Sequence, residues 1–134
     1  MDPLLDAIRR MRRDLGLQIS RHVLCMHVGF DDERVRLYRA AAGRRELDAQ
    51  FPWAAIRRVC FKDNGPMASD MVYVIADDRT FVIPLEADGG GDFWRQLRVR
   101  GVVPPGLHEQ ATLSMDGRFY CWPPWEGPNK TKPL

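Results

Sequence analysis

The chain has 134 residues, 45% of them hydrophobic and 28% charged, which suits one domain with a core of its own and excludes a disordered or low-complexity chain. Twenty Lys and Arg against 18 Asp and Glu leave a net charge of +2, too small to make the whole protein an obvious nucleic-acid binder. No stretch reaches the roughly 20 apolar residues that span a bilayer, and the first residues lack the apolar run of a secretory signal, so a cytoplasmic location is expected.

MDPLLDAIRRMRRDLG predicts an amphipathic helix. Asp2 stands at the N-cap and Pro3 at the first helical position, Leu4, Ile8, Met11 and Leu15 form one stripe, and Gly16 ends the run. Its other face carries Arg9, Arg10, Arg12 and Arg13, with Asp6 one turn before Arg10. LQISRHVLCMHVGF reads as a strand closed by the acidic turn Asp31-Asp32-Glu33, and RVRLYRA as a second. A turn at Gly43-Arg44 leads to a third, where Leu47, Ala49 and Phe51 alternate with Glu46, Asp48 and Gln50 and should share the buried face.

Pro52-Trp53 interrupts the pattern. AIRRVCF follows as a strand, with Val59 and Phe61 on one face and Arg58, Cys60 and Lys62 on the other. DNGPMASD is a loop. MVYVIA and TFVIPL form a hairpin around Asp77-Asp78-Arg79, and Pro84 puts the second arm at a sheet edge. ADGGGDFWRQLRVRG returns to helical spacing, with Asp92 as cap, Phe93, Trp94 and Leu97 inward, and Gly101 at the end. VVPPG is a rigid connection, ATLSMDGRFYCW holds a last short strand, and PPWEGPNKTKPL is a Pro-rich tail. The expected architecture is α+β: an N-terminal helix, an antiparallel sheet of five to seven strands in the element order of a pleckstrin-homology-like roll, and a short late helix. One domain covers 1–122 and the tail 123–134.

Residues able to carry chemistry are sparse. In HVLCMH a strand sends Cys25 and His27 to one face and His22 to the other, so the three do not converge without help from Cys60, Cys121 or His108. Three cysteines without a CxxC pair read as reduced, mostly buried thiols. Acidic pairs at Asp31-Asp32-Glu33, Asp77-Asp78 and Glu86 with Asp88 sit where turns are expected and read as solvated turn residues. The triple glycine before the late helix lacks the lysine and the spacing of a phosphate loop. No catalytic residue, metal site or cofactor site is expected.

The run from Trp53 to Trp122 carries Trp53, Ile56 and Val59, then Asp63-x-Gly65-Pro66, Ser69-Asp70, Tyr73, Ile83-Pro84, Pro105-Gly106 and Cys121-Trp122. In this combination, which covers about half of the chain, it resembles a group of small uncharacterised bacterial proteins, a resemblance that implies no activity.

These readings lead to a non-catalytic cytosolic protein-binding module of adaptor or toxin-immunity type, with Asp63, Asp70 and Trp125 as recognition residues. A second expectation is a peripheral binder of anionic lipid or nucleic acid through Arg9, Arg10, Arg12 and Arg13. A third is a small thiol-dependent hydrolase using Cys25 or Cys121. A protein partner is expected ahead of a membrane or nucleic acid, and a homodimer stays open.

Overall fold

A computed structural model describes residues 26–65, 69–114 and 116–124. The expected N-terminal helix with Arg9, Arg10, Arg12 and Arg13, the residues His22 and Cys25, and Trp125 lie outside these described residues.

Strand β1 covers Met26–Phe30, β2 Arg34–Ala41 and β3 Arg44–Pro52, and the three form one antiparallel sheet in that order. The turn from β2 to β3 falls at Ala42-Gly43, both with positive φ, the pairing that matches the twist of a two-residue hairpin. A 3-10 turn at Trp53–Ala55 then leads into β4 (Ile56–Lys62), β5 (Met71–Ala76) and β6 (Arg79–Pro84). Helices α1 (Gly90–Val99) and α2 (Leu107–Ser114) follow, and β7 (Phe119–Trp122) returns to pair with β4. The second sheet has the order β6-β5-β4-β7, so among the described residues seven strands divide between two antiparallel sheets where the sequence suggests one. Pro84 does end an edge strand, since β6 is outermost.

One core joins both sheets and both helices. Val28, Val35, Leu37 and Phe51 from the three-stranded sheet meet Val59, Phe61, Val72, Val74, Phe81 and Ile83 from the four-stranded one, and Phe93, Trp94, Leu97 and Leu107 close it. The alternation in β4 is as expected, with Val59 and Phe61 fully buried on the core side. Helix α1 buries Phe93, Trp94 and Leu97 as its spacing predicts, but its N-cap is Gly89, and Asp92 lies inside the first turn. Helix α2 is not foreseen in the sequence because only Leu107 and Ala111 are buried along it, too few to show a helical stripe.

The alternation fails at Leu47. Leu37 pairs with Ala49 while the next residue, Tyr38, pairs with Leu47, so β3 carries Asp48 as an extra residue. Such a bulge reverses the faces beyond it. Leu47 is thereby turned out of the core, 51% exposed, while Ala49 and Phe51 stay in.

The cysteines also depart from expectation. Cys60 and Cys121 are direct partners in the β4–β7 register and form a disulfide, so their burial is as read from the sequence but their reduced state is not. Their separation of 61 residues hid the pairing, which only the return of β7 to β4 creates. No described helix is long and apolar enough to cross a membrane.

Candidate protein interface

The outer face of the three-stranded sheet, opposite the core, is built by register. His27 pairs with Tyr38 and Tyr38 with Leu47, so these three side chains form a row across β1, β2 and β3. The rings of His27 and Tyr38 lie 5.7 Å apart. Gly29 lies beneath the Tyr38 ring, where a Cβ would make an ordinary contact of 3.4 Å with Tyr38 Cε2. Leu47 continues the row as an exposed aliphatic, present only because of the bulge. No described element lies over this face.

Two ion pairs rim the row. Asp88 Oδ2 accepts from His27 Nδ1 and from Arg45 Nη2, each at 2.8 Å. A carboxylate only accepts, so Nδ1 carries the proton, and Nε2 lies on the side of Gly29. Asp88 is brought there by backbone pairing, its carbonyl accepting from Val28 N–H at 2.7 Å. At the other end Arg36 Nη1 donates to Asp31 Oδ2 at 2.7 Å. The Arg36 hydrogen bond, with the backbone N–H groups of Arg34 and Glu33, holds the Asp31 carboxyl far below the usual carboxylate range, and Asp31 in turn raises the Arg36 guanidinium.

The β1–β2 turn that carries Asp31 is fixed from below. Trp53 Nε1 donates to the Asp31 carbonyl at 2.8 Å, and Arg100, at the end of α1, lies 4.2 Å over the Trp53 ring while donating to the Asp31 and Asp32 carbonyls. Strand, 3-10 turn and helix are thus locked together at one end of the face.

Asp63 and Asp70, two of the three recognition residues expected from the sequence, are brought together by the β4–β5 loop. Asp63 Oδ1 accepts from Gly65 N–H at 2.9 Å, Asp70 Oδ1 from Asn64 N–H at 3.1 Å, and Asn64 Nδ2 donates to the Ser69 carbonyl. Burial and a hydrogen bond with Asp63 raise the Asp70 carboxyl, the Asn64 N–H opposes this, and the charge of His108 lowers it a little. The two carboxyls therefore clasp their own loop. His108 is held edge-on to Phe61, with ring centroids 4.9 Å apart.

The remaining sequence candidates separate. Cys121 is bonded to Cys60 and has no thiolate to offer as a nucleophile, which removes it from the hydrolase reading. His27 is committed to Asp88, and among the described residues no three His, Cys, Asp or Glu side chains converge to hold a metal. The triple glycine is structural at two positions: a Cβ on Gly89 would collide with the Val28 carbonyl oxygen, and one on Gly90 would stand 2.6 Å from that of Leu85. The sequence had no means of showing Tyr38, Leu47, Arg45 and Asp88 as neighbours, although the Arg36-x-Tyr38 alternation in β2 does mark a polar face. No family model matches the chain, and no match is found among curated proteins or solved structures.

Proposed function

We propose that the protein is a non-catalytic protein-binding module that recognises its partner through the outer face of the three-stranded sheet. The observation that carries this reading is the row His27–Tyr38–Leu47, an aromatic and aliphatic strip between two arginine-carboxylate rims on a sheet face that no described element covers. Tyrosine and arginine around an apolar centre are the residue types that dominate protein interfaces, and a sheet presents them on a rigid frame. An adaptor or a toxin-immunity protein fits this description. The buried disulfide favours an oxidising setting for the encounter over the reducing cytoplasm expected from the cysteine count.

Affinity capture with the full chain, compared with Tyr38→Ala and Leu47→Arg, tests the reading. Both substitutions are expected to weaken capture of a specific partner by at least about 10-fold. An exposed control at Leu113→Arg on α2 is expected to leave it unchanged. Equal capture by all four proteins rejects this face as the interface.

A further inference from the structure

The four-stranded sheet has a second face, and that face is covered. Pairing places Cys60 of β4, Met71, Tyr73 and Ile75 of β5, Val82 of β6, and Phe119 and Cys121 of β7 opposite the core side. Six of these form a separate apolar cluster, each at most 5% exposed, with Tyr73 at 2%. Sheet neighbours shield the sides of a tyrosine ring but leave its outer surface open, so a bare face cannot reach such values. Neither described helix lies there, because Phe93, Trp94, Leu97, Leu107 and Ala111 all belong to the other cluster. The Thr80 hydroxyl, which alternation puts on the same face, is buried without a hydrogen-bond partner, as expected where water is excluded.

We propose that this face is the docking surface for the amphipathic segment 3–15 of the same chain, through Leu4, Ile8, Met11 and Leu15. The burial is that of a single protomer, so it calls for no second copy of the chain. Outside the described residues, 66–68 and 115 are too short, and the tail 125–134 holds only Trp125 and Leu134 as large apolar residues among prolines and charges. Residues 16–25 hold Leu17, Ile19, Val23 and Leu24 but read as the strand that leads into β1, whereas segment 3–15 offers four apolar residues on one helical stripe, over a helix length of about 20 Å against about 14 Å from the first to the last of four strands. The connection also reaches. Residues 16–25 extend to about 33 Å, and they join β1 beside Asp88, four residues past the end of edge strand β6. Docking in this way turns Arg9, Arg10, Arg12 and Arg13 outward as one basic surface and withholds Ile8 and Met11 from a lipid bilayer.

NMR of the full chain tests this independently of the interface proposed above. Nuclear Overhauser contacts from the Tyr73 ring to the side chains of Ile8 and Met11 within one molecule are the expected result. Contacts to Trp125, or contacts seen only between differently labelled copies in a mixed sample, overturn it, as does a Tyr73 ring with no contact to residues 3–15. As a second measurement, Ile8→Asp with Met11→Asp is expected to bring the Tyr73 phenol down by a unit or more, while Arg10→Gln with Arg12→Gln leaves it in place; no change in the first variant also overturns the proposal. If the aspartate variant does not fold, the contacts in the unmodified chain decide.

Discussion

Cys60 and Cys121 stand opposite each other on β4 and β7, and the bond between them closes a loop of 61 residues from inside a buried apolar cluster. β7 has only four residues and pairs with one neighbour, so the disulfide ties a short edge strand and the end of the described chain to the centre of the sheet. Peptide mapping without reductant is expected to recover the two cysteines joined. Replacing both by Ala is expected to lower unfolding stability by about 4 kcal/mol on loop entropy alone, read as a fall in the denaturant midpoint. Labelling of both thiols in unreduced, unfolded protein is the result that excludes the bond.

Tyr73 makes the fold sensitive to alkali. Burial alone pushes its phenol up to about 12, against about 10 in an unfolded chain. Because the folded value is the higher one, stability is intact below pH 10 and is lost as the pH rises from about 10 to about 12, by about 3 kcal/mol in all. Denaturant midpoints measured across that window are expected to fall, and Tyr73→Phe is expected to remove most of the slope. Tyr120, also raised by burial, supplies a remainder in the same direction.

Gly89 and Gly91, two positions apart, have opposite tolerance. Gly89 has φ of 81° and its missing side chain would collide with the Val28 carbonyl, whereas Gly91 lies in α1 with nothing within 4 Å. Gly89→Ala is expected to cost more than about 2 kcal/mol in thermal or chemical unfolding. Gly91→Ala is expected to stabilise by up to about 1 kcal/mol through helix propensity. Equal effects at the two sites refute the close approach of the glycine loop to β1.

Asp70 should respond to its neighbour. Its raised carboxyl has burial as the first cause and Asp63 as the second, so Asp63→Asn is expected to move it towards the ordinary value without reaching it. The stability linked to the raised value is present below the unfolded carboxyl pKa and fades as the pH rises through the folded one. Carbonyl-carbon NMR titration reads the shift directly. A titration unchanged by Asp63→Asn breaks the coupling between the two.

How far the sequence was legible depends on how local each cause is. β5 and β6, with the Asp77-Asp78 turn between them, could be read because period-two alternation and turn residues act over a few positions. Helix α2 carries too weak a stripe to be legible, and Leu47 defies its alternation because one bulge residue, Asp48, reverses the faces beyond it without altering the sequence pattern.

Alternation and composition by themselves determined the α+β class, most of the strands, the inward faces of β4 and α1, and the burial of Cys60 and Cys121. Tertiary structure decided the division into two sheets, the disulfide, the carboxyl clasp of Asp63 and Asp70, and the row of His27, Tyr38 and Leu47 with its Arg45–Asp88 rim. The physical reason is separation along the chain. Side-chain direction follows from the backbone period within one element, but which side chains become neighbours depends on strand order and register, and these depend on contacts dozens of residues apart.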